Sequence, residues 1–185
     1  QVCGDYAAWQ KEIADPGMVA INLSLKELSQ ASFIPHCRSV FEKHGVSPSR
    51  VELEITETTL MLDAERTLPL LDELRAMGVH LSIDDFGTGY SSLSALQQFP
   101  IGTLKIDKSF VRNAADDPDD ATIVRSIIDM GRSLGLDVLA EGIETEEQRD
   151  FLLKSGCQFG QGRLFGHPVS ADEFLELVLK QATGE

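Results

Sequence analysis

Leu81-Ser82-Ile83-Asp84-Asp85-Phe86-Gly87-Thr88-Gly89-Tyr90-Ser91-Ser92-Leu93 is the stretch on which the reading of this chain turns. Val79 to Ile83 is apolar and β-branched enough for a buried strand, and it stops at two adjacent carboxylates followed by a loop with two glycines. Adjacent aspartates repel, so a pair at the mouth of a buried strand needs a cation or hydrogen-bond donors to offset the charge. A divalent metal supplies that compensation most directly. In isolation, an Asp-Asp pair more often serves an Asx-type turn that caps the next helix. The choice between the two rests on how the other strands end.

Outward from this point, short apolar strands alternate with helical stretches. Strands are predicted at Met18 to Leu23, Val51 to Ile55, Val79 to Ile83, Thr103 to Ile106, Leu136 to Ala140 and Gln158 to Gly160. Helices are predicted at Gln1 to Ala14, with Tyr6, Trp9 and Ile13 on one face, at Ala31 to His44 before Gly45, and at Asp63 to Met77 before Gly78. A short one covers Ser91 to Phe99 and is broken by Pro100. Others run from the acidic linker Asp116-Asp117-Pro118-Asp119-Asp120 to Leu134, from Thr145 to Ser155, and from Ala171 to Gln181, the last with Phe174, Leu175, Val178 and Leu179 inward. The linker acids suit a helix N-terminus and are read as a cap, not a ligand site.

About six strand-helix units in a row demand a parallel sheet, because each right-handed crossover restores the chain direction. The candidates are an open doubly wound sheet and a (β/α)8 barrel. No Gly-x-Gly-x-x-Gly follows the first strand, which weakens the dinucleotide-binding version. In the barrel reading two strands are lacking, and a helix already in progress at Gln1 locates the loss ahead of it. Residues 1–185 are therefore expected to form one domain, incomplete at its N-terminus.

The 185 residues, 42% of them hydrophobic, suffice for one domain with a sizeable core. A formal net charge of -14 argues against duplex nucleic acid or an anionic membrane surface as partner. A small anionic substrate would need metal ions or a local basic group. Cys3, Cys37 and Cys157 are odd in number and lack a Cys-x-x-Cys pairing, which suits a reducing compartment, the cytoplasm being the simplest. No run of about 18 apolar residues and no basic-then-apolar leader is present, so no membrane segment is expected in this stretch, although a longer parent could be membrane-anchored.

Every predicted strand ends in polar groups: Asn22, then Glu54 with Glu57, Asp84 with Asp85, Lys105 with Asp107, Glu141 with Glu144, and Gln161. In a barrel these positions converge on the C-terminal face, where that fold carries its active sites. A rim of solvated acids does not explain Glu54 and Lys105, which interrupt otherwise apolar runs. Oxygen donors without histidine or cysteine select Mg²⁺ or Mn²⁺ over Zn²⁺. His36, His44, His80 and His167 read as surface or packing residues. The carboxylates suffice for two ions about 4 Å apart, an arrangement suited to displacement at phosphorus. Lys105 is then the fixed cation among acids, and phosphodiester hydrolysis is the predicted reaction class.

These residues carry a resemblance. Ile21-Asn22-Leu23-Ser24, Glu54-Ile55-Thr56-Glu57, Asp84 to Leu93, Leu104-Lys105-Ile106-Asp107, Ala140-Glu141-Gly142-Ile143-Glu144-Thr145 and Gly160-Gln161-Gly162 resemble, in order, the EAL-domain family of bacterial cyclic-di-GMP phosphodiesterases. The resemblance implies a TIM-like barrel that cleaves cyclic-di-GMP to linear pGpG with Mg²⁺ or Mn²⁺. It implies Asn22, Glu54, Asp84, Asp85 and Glu141 as metal ligands, Glu141 also in the general-base network, Lys105 on the attacking water or phosphate, and Gln161 near that water. Glu57 would hold the substrate-proximal loop Phe86, Gly87, Thr88, Gly89, Tyr90, Ser91 and Ser92, which also helps form homodimers. A sensor or GGDEF domain upstream is the implied context.

The Glu-Ala-Leu motif and the arginine after it do not occur in these residues and are expected ahead of Gln1. Arg163 stands where the family usually has an aromatic, open to a phosphate contact or a surface role, and His167 where a longer basic or polar side chain is common. Two rival readings follow: a module that binds cyclic-di-GMP without cleaving it, and an inert fragment whose exposed sheet edges invite pairing. Retention of Asp84, Asp85 and Glu141 favours the enzyme, with little turnover expected from the isolated piece.

Overall fold

The structure is a computed structural model that describes residues 1–62, 64–89 and 96–183. Six strands, β1 (Val19–Asn22), β2 (Val51–Thr56), β3 (His80–Phe86), β4 (Thr103–Ile106), β5 (Asp137–Ala140) and β6 (Phe159–Gly160), form one sheet. All neighbours are parallel, and the strands lie in chain order from β1 to β6. Sequential order resolves the topology. A doubly wound sheet reverses its strand order at a switch point, whereas a barrel adds each strand beside the last. The fold is a TIM-like α/β architecture in which six parallel strands curl as part of a barrel wall.

Around the sheet lie α1 (Val2–Glu12), α2 (Leu25–Leu28), α3 (Phe33–His44), α4 (Glu57–Leu62), α5 (Ala64–Met77), α6 (Lys108–Asn113), α7 (Pro118–Ser133), α8 (Glu146–Lys154) and α9 (Ala171–Thr183). Their ends have local causes. Gly45 closes α3 with a left-handed φ of 65°, a conformation that costs glycine nothing. Asp117 caps α7 by accepting from the amides of Asp119 and Asp120, as the acidic linker suggested. Thr145 and Gln148 form a capping box at α8.

The core lies between strands and helices, where Leu53, Ile55, Leu71, Leu74, Leu81, Ile83, Leu104, Ile106, Val124 and Ile128 are buried. The two ends of the chain meet: the Trp9 indole donates to the Ala171 carbonyl at 3.1 Å, and its ring packs 4.6 Å from Phe174. Among the described residues, no helix is long and apolar enough to cross a membrane.

Several expectations shift. β3 continues past Ile83 through both aspartates to Phe86. Three short helices, α2, α4 and α6, were not anticipated, because each starts within a few residues of a strand end and is too short to show a hydrophobic period. α1 stops at Glu12, leaving Ile13 in extended backbone. Leu179, expected inward on α9, is exposed. Most of the helix predicted at Ser91 to Phe99 lies outside the described residues.

Candidate functional site

A strand alternates its side chains between two faces, and the register decides which residues share one. Asn22 pairs with Glu54, Glu54 with Ser82, and Ser82 with Thr103, so these four line one face of the sheet. Glu52, Asp84 and Lys105 fall on the same face by alternation. Thr103 donates to Glu52 at 3.4 Å, one rung below Glu54.

Lys105 is the centre of this face. Its ammonium is paired with Glu54, lies 2.5 Å from Glu141 and 3.5 Å from Asp84, and its side chain is only 4% exposed. Burial favours the neutral amine, but the hydrogen bonds to Glu141 and Glu54 outweigh it and hold the lysine pKa above its ordinary value. Burial raises the pKa of Glu141; the contacts with Lys105 oppose that shift, and the charges of Asp84 and Glu54 reinforce it.

Two adjacent residues of a regular strand point to opposite faces, yet Asp84 and Asp85 act together. The cause is an irregularity. Ile83 pairs with Leu104 and Phe86 with Ile106, so β3 spends one more residue than β4 between these rungs. Asp85 there takes a φ of 53°, which Asp tolerates better than most residues. The bulge brings carboxylate oxygens of Asp84, Asp85 and Glu141 within 4.8 Å of one another.

Asp107, at the end of β4, caps α6 through the Ser109 amide at 3.0 Å and also hydrogen-bonds Asp85. Burial, then the charges of Asp84 and Asp107, raise the Asp85 pKa. At Asp107 burial pushes the same way, but hydrogen bonds from Ser109 and Asp85 outweigh it and lower the pKa. The donors that meet here are all carboxylate oxygens, so the residues present fit a hard divalent ion.

Glu57, buried at the start of α4, accepts from the amides of Gly87 at 2.9 Å and Gly89 at 3.1 Å. A side chain at Gly89 would bring its Cβ to 2.9 Å from the Glu57 carboxyl group, which explains that glycine. Thr88 ties the same turn to the Asp85 carbonyl at 2.8 Å. Phe86 is buried in the core. Tyr90, Ser91 and Ser92 lie outside the described residues.

Gln161 is held beside β5, its amide on the Ala140 carbonyl at 2.9 Å. With Glu141, Lys108, Glu144 and Arg163 it lines a cleft of about 360 Å³. A larger groove of about 560 Å³, between Leu28 and Leu70, has none of these acids. The structure thus brings together Glu54, Asp84, Asp85, Lys105 and Glu141, sets Gln161 alongside, and keeps Glu57 as the anchor of the glycine turn. Asn22 lies on the same rung as Glu54, at the edge. Sequence reading noted Asp107 only as a strand-end acid; its contact with Asp85 depends on the bulge.

Parallel strands in chain order whose ends gather acids around one lysine define a TIM-like α/β protein with its polar site on the carboxyl-end face. The chain belongs to the EAL domain family, whose model matches residues 1–168. It is 44% identical over 175 residues to the bifunctional diguanylate cyclase/cyclic di-GMP phosphodiesterase MucR of Pseudomonas aeruginosa, covering 95% of this chain and 24% of that protein. With the cyclic di-GMP phosphodiesterase NbdA of the same organism it shares 43% over 160 residues, 85% of this chain and 20% of the relative. The chain thus spans about a quarter or less of these relatives. The MucR phosphodiesterase in complex with c-di-GMP superposes with a TM-score of 0.88 at 43% identity, over 92% of this chain and 69% of that one. A manganese and c-di-GMP complex of BlrP1 from Klebsiella pneumoniae gives 0.81 at 32%, over 90% and 43%.

Proposed function

We propose that this chain is the catalytic part of a larger cytoplasmic protein that hydrolyses cyclic-di-GMP to linear pGpG with two Mg²⁺ or Mn²⁺ ions. The observation that carries the reading is the gathering of Asp84, Asp85 and Glu141 oxygens within 4.8 Å, beside a buried lysine. Asn22, Glu54, Asp84, Asp85 and Glu141 would hold the ions. When bound, such ions activate water and stabilise charge on phosphate oxygens.

Glu141 is the general base that accepts the proton of the attacking water. The water oxygen bonds to phosphorus, the bond from phosphorus to the 3′ oxygen breaks, and that oxygen takes a proton from solvent water while Glu141 returns the one it accepted to solvent. Lys105 contacts the water or the phosphate in this reading, and Gln161 orients the water. Glu57 keeps the Gly87 to Gly89 turn beside the acids. Support comes from the relatives described as cyclic di-GMP phosphodiesterases and from the c-di-GMP complexes of two solved neighbours. A homodimer and an upstream sensor or GGDEF domain complete the proposal; MucR is itself described as bifunctional.

The test is turnover in the protein carrying this domain, read as pGpG formed. Glu141→Gln and Asp84→Asn are each expected to lower the rate by at least about 100-fold, the scale of losing a general base or a metal position. Near-full activity in both would overturn these roles. Tight cyclic-di-GMP binding with no pGpG from the unmodified protein would favour the binding-only reading.

A further inference from the structure

We propose that Lys108 and Arg163 form a cationic subsite for the phosphate of the dinucleotide that is not cleaved; the proposal rests on the reading above. The chain has 16 Lys and Arg against 30 Asp and Glu, whereas this cleft sets Lys108 and Arg163 against Glu141 and Glu144, so its lining is richer in cations than the chain as a whole. The cleft is continuous with the reaction centre because Glu141 belongs to both. Its volume of about 360 Å³ is at the lower end for small-molecule sites.

Both side chains have rigid roots. Lys108 is the first residue of α6, and the backbone of Gly142 presses on it so closely that a Cβ there would lie 2.5 Å from the Lys108 Cβ. Arg163 follows Gly162, whose Cβ would lie 2.0 Å from the Ile143 carbonyl. The Ile143 amide donates to Gln161 and the Leu164 amide to Ile143, each at 3.0 Å, so the segment carrying Arg163 is clipped to the loop that carries Glu141. The heads of both are in solvent.

Arg163 has one carboxylate partner, Glu144 at 3.6 Å, with both side chains more than half exposed. Exposed pairs of that length are weak and exchange readily for a better anion. A phosphate offers the guanidinium two oxygens at once. Lys105 is already engaged by Glu54 and Glu141, and the acidic cluster is the place for the cleaved phosphate, which leaves the cationic pair in the cleft for the other one.

The experiment is titration calorimetry on the whole protein with pGpG and with GpG, which keeps only the internal phosphate. Arg163→Met and Lys108→Met are each expected to weaken both ligands by about tenfold, the scale of one charge-assisted contact. The salt dependence of binding should become shallower in each variant, and Arg163→Lys should retain part of the affinity. In turnover the loss should fall on KM, with kcat within about twofold. A loss confined to pGpG would assign the pair to the cleaved phosphate and overturn the proposal. So would a loss with unchanged salt dependence, which marks a base contact, or no loss at all. Wild-type protein that binds GpG through Arg163 yet makes no pGpG would sink the hydrolase reading and leave the subsite standing.

Discussion

The two faces of β2 and β3 are equally buried and opposite in chemistry. Outward, Val51, Leu53, Ile55, Leu81 and Ile83 pack into the core with the helices; inward, Glu52, Glu54, Ser82 and Asp84 face other polar groups. The outer face gains free energy from apolar area removed from water. The inner face pays desolvation for each charge and recovers it only through the contacts of Lys105 and its neighbours. Ser82 Oγ shows the margin: it is the one fully buried side-chain polar atom without a hydrogen-bond partner among the described residues. One face stabilises the fold; the other is carried by it.

Breaking that contrast begins with Lys105→Met in metal-free buffer. Removing one partner of a buried ion pair typically costs about 3–5 kcal/mol, because the remaining charge is stranded. Urea denaturation should show a loss of that order, and Glu54→Leu added to Lys105→Met should recover part of it. A double variant less stable than the single one would mean that the inner face is itself a net stabiliser. On the outer face, Ile83→Ala should cost about 2–5 kcal/mol by the same measurement. No double variant on the inner face should repair that loss, since it leaves a cavity and not a charge.

The same contrast explains what was legible in the sequence. The outer face repeats apolar residues, so the first five strands and the order of the long helices could be read, with strand ends misplaced by a few residues; β6, two exposed residues, left only a weak trace in the sequence. Glu54 and Lys105 were legible as site residues because they interrupt apolar runs. Period alone left a choice between a barrel and a doubly wound sheet; the family resemblance chose the TIM-like barrel, and the sequential parallel strand order bears that out. What escaped was the bulge: alternation sends Asp84 and Asp85 to opposite faces, and nothing local announces that β3 spends an extra residue there. The pairing of Asp85 with Asp107 escaped with it. Arg163 was legible as a departure from the family pattern that could meet either a phosphate or solvent; its place in a cleft with Glu141 needed the fold.

A smaller effect tests the turn after the bulge. Glu57→Gln keeps an acceptor for the amides of Gly87 and Gly89 but exchanges charged hydrogen bonds for neutral ones, so about 1 kcal/mol should be lost. Gly89→Ala should act on the same contact by steric means, since its Cβ would meet the Glu57 carboxyl group. If neither changes the melting temperature or the turnover, the turn is not what positions Asp85.

The smallest effect is the sharpest for the inner face, because its sign is fixed by which acids are raised. Asp85 and Glu141 are held above their ordinary values of 3.8 and 4.5, so the stability linked to them is present below those values and is lost as pH rises through the folded-state pKa values. Asp107 is lowered, so its contribution is present above 3.8 and is lost only as pH falls further. Above the ordinary carboxylate range the raised pair governs, and metal-free protein should melt at lower temperature as pH passes up through their raised values. Asp85→Asn should flatten that slope without backbone strain, because Asn accepts the φ of 53°. Saturating Mn²⁺ should flatten it as well, by offsetting the charge of the gathered acids. A slope of the opposite sign, or one that neither change reduces, would show that the acids at the end of β3 do not repel one another as the bulge implies.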